Sequence, residues 1–239
     1  MNHELRKHCD ALASEFSELI QPELRIHGRS GPYVVLVSEM GVPSHGDWFG
    51  LAASTMGLRL RSEIPNWRGN GPAVLVNDSA ILESCGGCYG TACGITTAVA
   101  CHEIAHVLQF PRLCADEMLG DWEPRAFKRV LAEPSPVTPA EEIRERPQHD
   151  RQFIRWALHV RRRMQRRGWR VPLNDLMQWD RFAYVAAEWH VESLRDDFEK
   201  YEALPLSVIP FAPEPPDFTR LFDANLESFS GFMSLFRSF

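Results

Sequence analysis

Residues 94 to 109, GITTAVACHEIAHVLQ, constrain the fold of this chain more than any other stretch. The run predicts a helix that stops at Phe110, because Pro111 disfavours helical geometry in the residue before it. Ala98, Val99, Ala100, Ala105 and Val107 surround two histidines and a glutamate, so this helix belongs in an interior with other elements laid around it. The flanking sequence supplies candidates for those elements. Leu5, Leu12, Phe16 and Ile20 recur at helical spacing, predicting an amphipathic opening helix over residues 3 to 20. Tyr33 to Val37 (YVVLV) and Ala73 to Val76 (AVLV) are β-branched runs bounded by Gly and Pro, and read as strands. Ala80 to Leu82 is a candidate third strand, so that a small sheet precedes the helix.

Beyond Pro111 the chain is broken by Pro124, Pro134, Pro136, Pro139 and Pro147, with short helices expected at 125 to 132 and 139 to 146. From Asp150 to Arg167, Phe153, Trp156, Ala157, Val160 and Met164 fall in one stripe of a 3.6-residue helix that ends near Gly168. Another long helix is expected over 180 to 200, around Phe182, Val185, Ala186 and Trp189. The proline-rich segment LPLSVIPFAPEPPDF then ends it. Four phenylalanines stand in the last eleven residues, a composition that predicts docking on the same chain or a partner rather than free exposure. The expected organisation is a principal domain over residues 1 to 204 and a Pro-rich and Phe-rich tail over 205 to 239. No internal repeat is visible.

At 239 residues and 44% hydrophobic, the chain is long enough to bury one substantial core. Its net charge of -6 argues against coating nucleic acid through bulk charge. The N-terminus, MNHELRKHCDALASEFSELI, is too densely charged for a signal peptide, and no run reaches membrane-spanning length. A cytoplasmic protein with no membrane partner and reduced thiols is expected.

The chemistry concentrates on HEIAH at 102 to 106. His102 and His106, four apart on a helix, project from one face with Cβ atoms about 5–6 Å apart, within reach of a single Zn2+. Glu103 stands beside them without being a ligand, where a general base is needed to take a proton from metal-bound water. A catalytic zinc takes a third protein ligand and keeps a fourth position open. The candidates are His149, His159, His190, Asp116, Glu117 and Glu133. A helical wheel of the segment after residue 148 puts His149 in the apolar stripe with Phe153, Val160 and Met164, while His159 lies off it. His190, beside Trp189, reads as an ordinary, partly exposed histidine. His149 is therefore the predicted third ligand. Tyr184, Arg155 and His159 are candidates to assist the transition state, and the sequence does not choose among them.

HEIAH followed by HDRQF at 149 to 153 resembles the SprT-like metallopeptidases, whose pattern is HExxH and then a histidine, a small or acidic residue, two variable positions and phenylalanine. The resemblance spans about residues 70 to 165. It implies an α+β zincin-like fold, His149 as the last zinc ligand, Phe153 packing the helix, and zinc-dependent hydrolysis of a protein or peptide substrate, in some members of proteins attached to DNA. Asp150 stands where the family most often has glycine, and no C-terminal four-cysteine zinc ribbon follows.

Three further features carry alternatives. CGGCYGTAC, with Cys85, Cys88 and Cys93, suits a structural metal only with a fourth ligand from elsewhere, and reads first as a glycine-rich turn with reduced thiols. GLAAS at 50 to 54 with a cysteine before HExxH is faintly similar to peptide deformylases, amide hydrolases with a cysteine on the metal, although Cys85 lies too close to His102 and Ser54 and Thr55 replace their glutamine. Arg155, Arg161, Arg162, Arg163, Arg166, Arg167 and Arg170 crowd one helix over 155 to 170, a face suited either to nucleic-acid phosphates or to water. A non-enzymatic, zinc-stabilised protein that binds DNA or a protein partner is the alternative from another class. No GxSxG, Walker loop or dinucleotide fingerprint offers competing chemistry.

Overall fold

The computed structural model describes residues 2–26, 29–40, 48–53, 61–62, 64, 67–109, 149–177 and 188–224. These form an α+β arrangement, mostly helical around a three-stranded sheet. Helix α1 (Asn2–Leu19) and the short α2 (Gln21–Ile26) lead into β1 (Tyr33–Leu36). Then come β2 (Gly50–Ala53) and β3 (Ala73–Val76). The strand order is β1-β3-β2, with β3 parallel to β1 and antiparallel to β2.

Strands β1 and β3 are buried on both sides, which is why they read as unbroken apolar runs rather than alternating ones, while β2 is partly exposed at Leu51. Val34, Leu36, Val74 and Val76 face the main core with α1 and the helices that follow. Tyr33, Val35, Ala73 and Leu75 face a smaller cluster with Val37, Met40 and Ile64.

Helix α3 (Asp78–Ser84) corrects the expectation of a strand at Ala80 to Leu82. The Asn77 side chain accepts a hydrogen bond from the Ala80 backbone N–H at 3.2 Å, an N-cap that commits the following residues to helix. The third strand is instead GLAA at 50 to 53. Helix α4 (Tyr89–Gln109) begins five residues earlier than the sequence predicts and is buried along most of its last two turns.

Helix α5 (Arg151–Arg166) is capped by the Asp150 carboxylate, which accepts from the Phe153 N–H at 2.8 Å. All five residues of its predicted stripe are buried. After α6 (Leu173–Met177), the expected helix over 180 to 200 is helical at 188–193, breaks at Leu194 and resumes as α7 (Arg195–Tyr201). Its first part lies outside the described residues, as do the expected helices at 125 to 132 and 139 to 146 and the terminal phenylalanines.

The proline-rich segment folds into a 3-10 helix, Leu206–Phe211, followed by a helix over 216–224. Leu206, Ile209, Phe218 and Phe222 enter the same core as α1 and α4. Arg155 holds this segment down. It is 1% exposed, forms an ion pair with Asp197 at 2.7 Å, and donates to the carbonyls of Ile209, Ala212 and Pro213. Among the described residues, no helix is long and apolar enough to cross a membrane.

Candidate metal centre

Helix α4 presents His102 and His106 from one face, as i, i+4 spacing requires. His149 comes from the residue just before the Asp150 cap of α5, so it lies beyond the helix on which a wheel places it, yet it meets the same face. Its Nε2 is 3.1 Å from Nε2 of His102 and 3.2 Å from Nε2 of His106. The three donor nitrogens lie within 4.8 Å of one another. Metal–nitrogen bonds of about 2.0–2.1 Å at tetrahedral angles put neighbouring donors about 3.4 Å apart, so these three fit one small cation.

The second layer fixes ring orientation. The carbonyl of Leu176, on α6, lies 2.9 Å from Nδ1 of His102. With Nδ1–H donating there, Nε2 is left unprotonated toward the other two rings. Burial, with His106 and His149 adding to it, holds the His102 imidazole well below its ordinary pKa, and the Leu176 carbonyl only partly opposes this. The neutral form is the one that binds a metal. Phe153 packs beneath all three rings, stacked on His106 with centroids 4.3 Å apart and 4.8 and 4.6 Å from His102 and His149.

Glu103 is 7% exposed and faces β2. A Cβ on Gly50 would fall 2.8 Å from its Oε1 and would collide with Val99, so the absence of a side chain at 50 lets the strand approach the motif helix. Burial pushes the Glu103 carboxyl up to about 8, against a hydrogen bond from the backbone of Ala52. A cation on the adjacent imidazoles favours the charged form and opposes that shift. Gly50 and Ala52 belong to the GLAAS segment singled out in the sequence, but their approach to Glu103, like that of Leu176 to His102, arises through tertiary packing and was not legible there.

The other candidates fall elsewhere. His159 is buried and bonded to Asp197 at 2.9 Å, within the Arg155 network. Arg155 and His159 therefore serve the packing of the C-terminal segment. His190 is fully buried, which corrects the expectation of a partly exposed histidine; it packs against Phe218 and Phe222. Asp116, Glu117, Glu133 and Tyr184 lie outside the described residues. Cys85 ends α3 and is not among the clustered donors.

On the arginine-rich helix, Arg161 donates to the carbonyl of Val171, and Arg163 to those of Tyr201 and Leu204. Arg166 pairs with Glu202, and Arg167 with Glu15 and Glu18. With Arg155 buried, five of the seven guanidiniums are engaged within the chain.

No protein-family model, curated protein or solved structure matches this chain.

Proposed function

We propose that the chain is a zinc-dependent metallopeptidase of zincin-like fold, related to the SprT-like family, with His102, His106 and His149 as ligands and Glu103 as general base. The observation that carries this reading is the convergence of three imidazole nitrogens beside one buried carboxylate on the same helix. Among the described residues the cluster holds three protein donors, the number that leaves a catalytic coordination position open, whereas structural zinc takes four. Zinc bound there would polarise the scissile carbonyl and bring the pKa of a coordinated water to about 7.

The remaining roles belong to the chain. Glu103 takes the proton of the attacking water on a carboxylate oxygen and returns it to the leaving nitrogen. Leu176 holds His102 in the competent tautomer, and Phe153 fixes the three rings in place. Strand β2 pairs only with β3 among the described residues, and its backbone runs beside Glu103. An extended peptide laid along such an edge would gain main-chain hydrogen bonds, which favours a peptide over other amides.

Nucleic-acid contact through residues 155–170 is the weaker proposal, since it rests on Arg162 and Arg170 once the engaged arginines are set aside. The test of the main reading is elemental analysis together with hydrolysis of fluorescein-labelled casein. Glu103→Gln is expected to retain one zinc per chain and lose turnover by at least about 100-fold, within the range attributed to a general base. His149→Ala is expected to lose the metal. A Glu103→Gln protein that hydrolyses casein at the wild-type rate would exclude Glu103 as the base, and zinc retained in His149→Ala would exclude the ligand set.

A further inference from the structure

The bend between α3 and α4 is made by Cys85, Gly86, Gly87 and Cys88, none of which the metal centre uses. The Cys88 N–H donates to the Cys85 carbonyl at 3.2 Å, closing a four-residue turn. Gly86 and Gly87 occupy its central positions with φ of 58° and 76°, the left-handed conformation that a primed turn demands and that side chains resist. Such a turn keeps its first and last Cα within about 7 Å, overlapping the window of about 4.4–6.8 Å across which a disulfide forms. The Cys85 Sγ already lies 3.5 Å from the Cys88 carbonyl oxygen.

The two thiols are not equivalent. Cys88 is exposed and immediately precedes a 21-residue helix, where the helix dipole favours negative charge. The Thr91 hydroxyl donates to its Sγ at 3.4 Å. That bond, with the backbone N–H groups of Thr91 and Gly90, holds the thiol below its ordinary pKa. Burial does the opposite elsewhere, raising Cys93 and Cys101 and pushing Cys9 up to about 12. Cys88 is thus exposed and in surroundings that favour its thiolate, whereas burial disfavours that of Cys9, Cys93 and Cys101.

We propose that Cys85 and Cys88 form a redox-active dithiol that exchanges with a dialkyl disulfide, Cys88 attacking and Cys85 resolving. The Cys88 thiolate attacks one sulfur of RSSR, whose S–S bond breaks, giving a Cys88–SR mixed disulfide and RS⁻. Cys85, its proton released to solvent, then attacks the Cys88 Sγ and expels the second RS⁻. Two protein thiols become one disulfide and RSSR becomes two RSH, so two electrons pass from the protein to the dialkyl disulfide. Fourteen residues of α4 at about 1.5 Å each set this turn about 21 Å from His102, and the proposal is independent of the metallopeptidase reading.

The test equilibrates the full chain in oxidised and reduced glutathione, traps free thiols with N-ethylmaleimide and maps the segment 85–93 by mass spectrometry. The wild type is expected to lose two alkylated thiols together, with a Cys85–Cys88 link, and no glutathione adduct. Cys85→Ser is expected to accumulate glutathione on Cys88, and Cys88→Ser to react at Cys85 at least tenfold more slowly. Metal content stays unchanged in both. A persistent glutathione adduct in the wild type, a Cys88–Cys93 link, equal rates in the two variants, or zinc lost with Cys85→Ser would each overturn the dithiol.

Discussion

Gly50 shows how little space separates the two halves of the candidate site. A methyl group there would press on Val99 and on Glu103 Oε1, neither of which has room to retreat in a buried helix face. Gly50→Ala is expected to destabilise the protein by about 1–3 kcal/mol, the usual cost of overpacking, and to lower turnover by displacing the carboxylate. Urea unfolding beside casein hydrolysis checks both, and unchanged stability would mean that β2 does not approach α4 as described. At this scale the sequence revealed what is local. His102, Glu103 and His106 follow from i, i+4 spacing. The GLAAS resemblance does not predict the contact of Gly50 with Glu103, and nothing around Leu176 marks it, since their partners are 53 and 74 positions away.

Among the elements, α6 is the least conspicuous and bears directly on the centre. It is five residues long, too short to be stable alone, and is held by the complete burial of Leu176 and near-complete burial of Met177. Its Leu176 carbonyl is what orients His102. Leu176→Ala is expected to cost about 2–5 kcal/mol of stability through the cavity it leaves. It is also expected to weaken zinc binding by about tenfold or more, as loss of an outer-shell partner does. Competition with a chromophoric chelator measures the second effect, and full affinity in the destabilised variant would show that α6 supports the core without steering the ligand. Helices α1 and α5 were legible because their apolar stripes are wide, whereas the helix expected over 180 to 200 breaks at Leu194. Short elements were harder to read: the apolar run Ala80 to Leu82 reads as a strand although Asn77 caps a helix there, and GLAA carries too little β-branched character to announce a strand.

At the scale of the whole molecule, the C-terminal segment is tied to the core by two different polar groups, and pH separates them. Asp197 is buried, which alone would raise its pKa, but His159 and Arg155 outweigh burial and hold its carboxyl below the ordinary value. Its contribution is therefore present above about pH 4 and is lost as pH falls through the depressed folded value. His190 behaves differently. It is fully buried, its ring nitrogens have no hydrogen-bond partner among the described residues, and burial lowers its pKa to about 4. The unfolded chain takes up that proton near pH 6.5 and the folded chain does not, so stability falls as pH drops from about 6.5 to about 4. A difference of that size between folded and unfolded chain corresponds to about 3 kcal/mol. His190→Leu removes the titrating group while keeping apolar contact with Phe218 and Phe222, and His102 and His159, which also resist protonation, are common to both proteins. Urea unfolding at a series of pH values is expected to show a shallower loss for His190→Leu between pH 6.5 and 4, converging on the wild-type slope below pH 4 where Asp197 dominates. Identical slopes across the upper window would mean that water or another group reaches His190 in the folded chain, and that this corner of the core is looser than its packing implies.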